Sequence, residues 1–199
     1  MKDSLRPRLL RTVPALLVAS RLALGPSVFA AAYVGMSSAW VVSLLVLAML
    51  SDIFDGVIAR RLGVATERLR VADSRADAWF FVWIGLAACF SVPQILRAYW
   101  IPLSIEVVLQ LASYVFDLAR YGRITSLHAY TAKAWGFTLY LAAVGLLAFH
   151  SGSLIWLALT FGIASAVDAM MIKLTLPEWK HDVLSVFHAQ RIRKRDAVG

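Results

Sequence analysis

The chain alternates long apolar runs with short charged connections. Six runs, at residues 14–34, 39–57, 76–91, 101–118, 132–149 and 154–174, are each long enough for a membrane span of about 20 residues. The pattern predicts an all-α, polytopic integral membrane protein with six transmembrane helices. The third and fourth runs are the least clean, because Pro93 and Arg97 lie between them and Glu106 interrupts the fourth. Little chain is left for a soluble domain. The expectation is therefore one membrane domain over residues 1–199, with a short basic N-terminus at 1–12 and a basic tail at 178–199. There is no internal repeat and no low-complexity segment.

Composition agrees with this pattern. Hydrophobic residues make up 60% of the chain and mean hydropathy is +0.72, which excludes an ordinary soluble globular domain. The net charge of +8 is unevenly spread. Lys2, Arg6, Arg8 and Arg11 precede the first run. Arg60, Arg61, Arg68, Arg70 and Arg75 lie between the second and third. Arg120 and Arg123 follow the fourth, and Lys180, Arg191, Arg193, Lys194 and Arg195 end the chain, whereas the opposite connections hold only Arg97. The positive-inside rule then predicts both termini in the cytoplasm of a bacterial-type inner membrane, as an even number of spans requires. Membrane topology accounts for the basic charge, with attraction to anionic lipid in addition. Its dispersal over the connections argues against a nucleic-acid partner.

Other residues refine the picture. Trp40, Trp100 and Trp156 fall at expected outer ends, and Trp79, Trp135 and Trp179 at inner ends, as an aromatic belt would place them. Arg21 stands inside the first run, which argues against a cleaved signal. An unpaired charge there is expensive, so Arg21 is expected to pair with an acid of another span, Asp168 being the candidate. Glu106 and Asp117 are expected to face a water-filled cavity or the helix ends. Cys89 is the only cysteine and is expected to pack as a small residue.

The candidate chemistry lies around the second and third runs. Asp52-Ile-Phe-Asp55-Gly56-Val-Ile-Ala59-Arg60 closes one, and Asp73-Ser-Arg-Ala-Asp77 opens the next. On a helix of about 100° per residue, Asp52, Asp55, Gly56 and Ala59 share one face, with Arg60 at its edge. The small residues leave room for a ligand to approach the backbone. Asp73 and Asp77, four apart, share a face of their own helix. If the two helices meet antiparallel, four carboxylates converge at the cytoplasmic membrane surface. Hard oxygen ligands without Cys or His suit one or two Mg²⁺ or Mn²⁺ ions better than zinc.

These residues resemble the CDP-alcohol phosphotransferase family, whose members carry D-x2-D-G-x2-A-R, then eight or nine residues, then G-x3-D-x3-D. Asp52, Asp55, Gly56, Ala59, Arg60, Asp73 and Asp77 stand in register. Leu69 occupies the position of the family's glycine, which is expected against the bound nucleotide. Upstream, where many members read P-N-x-L-T-x2-R, Pro14, Leu17 and Arg21 match, while Ala15 and Val18 replace two polar residues. The resemblance implies a six-helix membrane enzyme that transfers a phosphoalcohol unit from a CDP-linked donor, in bacteria usually CDP-diacylglycerol, to an acceptor alcohol, releasing CMP. It implies Asp52, Asp55, Asp73 and Asp77 as ligands of two Mg²⁺ or Mn²⁺ ions, with Asp77 also the catalytic base. Asp52, Gly56, Ala59, Arg60 and Leu69 would line the donor nucleotide. Arg120, Arg123, His128 and Lys133 lie where members taking phosphorylated acceptors place basic residues. Membrane lipid and a second copy of the chain are the further implied partners.

Two other classes compete. Intramembrane prenyltransferases also bind Mg²⁺-diphosphate through aspartates, but they need about nine spans and two distant motifs; here both acid pairs lie within residues 52–77. The remaining alternative is a divalent-cation carrier or a relative without transferase activity.

Overall fold

The computed structural model describes residues 6–122, 130–175, 186, 188, 190 and 191. The regular elements are helices: α1 (Arg6–Tyr33), α2 (Ser38–Arg61), α3 (Glu67–Ser91), α4 (Pro93–Ala98), α5 (Trp100–Tyr121), α6 (Tyr130–Phe149) and α7 (Ile155–Thr175). Local chemistry sets their ends. Arg60 and Arg61 fall in the last turn of α2, where cations complement the helix dipole. Gly63, at φ +65°, takes the left-handed conformation that reverses the chain. Thr66 then caps α3 by accepting the Leu69 N–H at 3.3 Å, with Glu67 in the first turn, the expected sign for that end. Gly122 closes α5 at φ +67°.

Among the described residues, five helices are long and apolar enough to cross a membrane: Thr12–Tyr33, Ser38–Arg61, Trp100–Tyr121, Tyr130–Phe149 and Ile155–Thr175. The third of the six expected spans is not among these five. The third expected span belongs to α3, which begins at Glu67 rather than at residue 76. Its 25 residues give it a length of about 37 Å, but Glu67, Arg68, Arg70, Asp73, Arg75 and Asp77 crowd its first half. Hydropathy follows the apolar half alone, whereas the Thr66 cap starts the helix two turns earlier. Large apolar side chains such as Leu47, Val108, Val115 and Val167 are exposed, as suits surfaces facing hydrocarbon tails. Cys89 is exposed as well, rather than packed.

The helices form two units. The first comprises Met1–Leu96 and Ala143–Ser151, the second Arg97–Ala142 and Gly152–Gly199. In the first, α1 packs on both α2 and α3. Val18, Arg21, Leu24, Val28 and Ala31 of α1 are buried, a stripe at helical spacing. It meets Leu45, Ala48, Ser51, Asp55 and Ala59 of α2 and Ala76, Phe80 and Ile84 of α3, all buried too. Gly25 permits the close approach of α3, since a Cβ there would lie 3.1 Å from the Trp83 ring.

In the second unit α5 packs on α7. Here the expectation of a water-filled cavity or helix ends for Glu106 and Asp117 gives way to internal partners. Glu106, Gln110, Ser113 and Asp117 recur at i, i+4, i+7 and i+11, one polar stripe on an otherwise apolar helix. Lys173 of α7 pairs with Asp117 at 2.9 Å and donates to Ser113 Oγ at 2.7 Å. Gln110 donates to Glu106 Oε1 at 2.9 Å. Gly162 of α7 makes room for that carboxylate and for Trp135 Nε1, which would lie 2.8 Å from a Cβ at this position.

Because Asp117 and Lys173 are both buried, removing one partner strands a charge. Lys173→Met is expected to lower stability by about 3–5 kcal/mol, and the Lys173→Met/Asp117→Leu double variant to recover most of the loss. Denaturant unfolding of both variants in detergent micelles measures this; equal losses would contradict it.

Candidate functional site

The first unit gathers four aspartates around one arginine. Arg21 of α1 donates from Nη1 to Asp52 Oδ1, at 2.9 Å, and to Asp77 Oδ1. Its Nη2 donates to Asp55 Oδ2 and to Asp73 Oδ1. Asp52 and Asp55 come from the second half of α2, and Asp73 and Asp77 from the first half of α3. The acid pairs meet through α1, which packs on both helices, rather than through direct antiparallel packing of α2 on α3.

Exposure divides the cluster into a floor and a mouth. Arg21 has no exposed side-chain surface and Asp55 keeps 4%. Asp52, Asp73 and Asp77 keep 35%, 26% and 34%. A polar ligand can therefore reach three of the acids, while Asp55 and the guanidinium stay behind them. Arg21 takes a single oxygen from each carboxylate, so the second oxygen of each is not bonded to it.

The candidate partner Asp168 instead accepts a hydrogen bond from Thr131 Oγ1 at 2.8 Å, while Arg21 does pair, as expected, with acids of other helices. The signal for the true arrangement was its place in the buried stripe of α1, three residues after Val18 and three before Leu24. No sequence rule says which neighbouring helix that stripe meets.

The Arg60 guanidinium lies beside Gly56, where a Cβ would meet it at an ordinary van der Waals distance of 3.4 Å. Ala59 is buried and Arg60 exposed. Leu69 is half-buried in the first turn of α3, one turn before Asp73 on the same face. Val18 is buried and Ala15 exposed. The candidate acceptor residues lie elsewhere in the chain. Arg120 is exposed in the second unit, its guanidinium 5.8 Å from the centroid of the Phe116 ring. Lys133, also exposed there, holds its ammonium 5.9 Å from that of Tyr130. Arg123 and His128 fall outside the described residues.

Carboxylate oxygens of Asp52, Asp55 and Asp73 all lie within 4.8 Å of one another, a donor set that could hold a divalent cation. All are hard oxygens, as Mg²⁺ and Mn²⁺ prefer. Four carboxylates against one guanidinium also leave excess negative charge for a cation to neutralise.

Residues 11–166 match the family model of the CDP-alcohol phosphatidyltransferases, and the chain belongs to that family. Neither a curated protein nor a solved structure matches it.

Asp55 is the most enclosed of the three clustered acids and should matter most for cation uptake. Asp55→Asn is expected to weaken Mn²⁺ binding at least about tenfold, the scale of loss seen even for groups outside a metal's immediate ligands. Titration calorimetry on purified protein gives the answer, and unchanged affinity would remove Asp55 from the ligand set.

Proposed function

We propose that this member of the CDP-alcohol phosphatidyltransferase family transfers a phosphatidyl group from a CDP-linked lipid such as CDP-diacylglycerol to the hydroxyl of a polar alcohol, releasing CMP. The observation that carries the reading is the convergence of Asp52, Asp55, Asp73 and Asp77 on one point in a chain of this family. One or two Mg²⁺ or Mn²⁺ ions bound there would neutralise the donor diphosphate and the charge developing on departing CMP.

In this proposal Asp52, Asp55 and Asp73 hold the cations and Asp77 is the general base. The hydroxyl oxygen of the acceptor bonds to the phosphorus of the phosphatidyl unit as its proton passes to the Asp77 carboxylate. The bond from that phosphorus to the CMP oxygen breaks, and the electron pair leaves with CMP. Arg21 engages one oxygen of Asp77, which orients this part-exposed carboxylate. Arg60 contacts donor phosphate, Gly56 and Ala59 admit the nucleotide along α2, and Leu69 borders it from the first turn of α3.

The location of the acids supports a lipid donor. Asp52 and Asp55 close an apolar helix, so a substrate with acyl tails can stay in the bilayer while its headgroup reaches the carboxylates. A water-soluble acceptor enters at the exposed oxygens of Asp52, Asp73 and Asp77. The charge of Arg120, Arg123, His128 and Lys133 favours a phosphorylated alcohol. The positive connections favour a six-span arrangement, with α3 as the sixth span and the acids on the cytoplasmic side.

Purified protein with CDP-diacylglycerol and Mg²⁺ is expected to release CMP with at least one of glycerol 3-phosphate, an inositol phosphate, serine or inositol. Asp77→Asn should lower the rate by about 10²–10⁴-fold, the usual contribution of a general base; equal turnover would remove that role. Metal flux into liposomes without CMP release would favour a cation carrier instead. Leu69→Gly, which restores the family's residue, is expected to tighten CDP binding in an equilibrium assay. Unchanged or weaker binding would mean that the leucine is accommodated.

A further inference from the structure

We propose that Arg21 is the resident counter-cation of the aspartate site: it holds the four carboxylates together before a divalent ion arrives and thereby sets how tightly the site takes one. The inference rests on the reading of these aspartates as a cation site, and adds a positioning residue to it.

Three observations carry it. First, Arg21 bonds one oxygen of every carboxylate, using both terminal nitrogens of a planar fork that a lysine cannot imitate. Second, it achieves this with no exposed surface, from the middle of the α1 packing stripe, so the carboxylates and not solvent decide its position. Third, its Nε is buried without a hydrogen-bond partner. Buried donors are nearly always satisfied. An arginine placed only to brace the helices would be expected to use this donor as well. Here the guanidinium is turned wholly toward the carboxylates, and one donor is left unmet as a result.

The charge balance gives the direction of the effect. Without Arg21, four carboxylates face one another across the cluster, and only protonation or a bound cation can offset their repulsion. With Arg21 in place the empty cluster is already partly neutralised, so less is gained when a divalent ion enters. The positive guanidinium also repels that ion. Removing Arg21 should therefore harm the metal-free protein far more than the metal-loaded one. By linkage the same difference appears as tighter cation binding. A purely structural arginine would lower stability equally in both conditions.

The test is thermal unfolding of wild type, Arg21→Met and Arg21→Lys in detergent, across a Mn²⁺ titration and after stripping with EDTA. Arg21→Met is purified in Mn²⁺. Its melting temperature is expected to fall markedly on stripping, where wild type changes little, and its half-saturating Mn²⁺ concentration should be at least about tenfold lower, equivalent to about 1.4 kcal/mol. Arg21→Lys, which keeps the charge but not the fork, should lie between the two. Equal loss of melting temperature with and without Mn²⁺, weaker Mn²⁺ binding by Arg21→Met, or failure of that variant to fold even in Mn²⁺ would each overturn the proposal. If both wild type and variant bind Mn²⁺ with equal gain, this inference alone falls. If wild type binds no Mn²⁺, the cation-site reading falls and this one with it.

Discussion

Like charges at the end of a membrane helix must be offset, and much of the first unit is arranged around that need. Two unit charges 4 Å apart interact by about 4 kcal/mol at the effective dielectric typical of a protein surface. Four carboxylates drawn from two helices would drive those helices apart. Arg21, without exposed surface and bonded to all four, turns this repulsion into cohesion between α1, α2 and α3. Val18, Leu24, Ala48 and Ala76 of the same three helices are buried as well.

The second unit handles charge inside an apolar helix differently. Asp117 and Lys173 neutralise each other, and Ser113 accepts from the ammonium. Glu106 shares Gln110 as a donor and lies against Gly162. Charges in such surroundings survive only with close partners; Asp117 finds Lys173 of α7, and Glu106 takes Gln110 of its own helix. The contrast in exposure matters. Asp117 and Lys173 are sealed and complete, whereas the acids around Arg21 open on one side and offer oxygens beyond those already bonded. Of the two, the open cluster is the one suited to a ligand.

That openness fits the chemistry of the family. A diphosphate carrying acyl chains and a water-soluble alcohol prefer opposite phases, and acids at the end of an apolar helix lie where both can come.

The sequence by itself determined the helices, the apolar surfaces, the grouping of Asp52 with Asp55 and of Asp73 with Asp77, and the family. These follow from local rules: hydropathy and a helical period of about 3.6 residues. It placed the start of α3 too late, at residue 76 instead of Glu67, because hydropathy averages apolarity and does not see a charged half-helix continuing the same element. Tertiary structure alone decided that Arg21 meets four aspartates and not Asp168, that α1 is the element joining the acid pairs, and that Asp117 finds Lys173. Helical periodicity says which residues share a face. Which face then meets which helix depends on packing between distant parts of the chain, and no local rule carries that information.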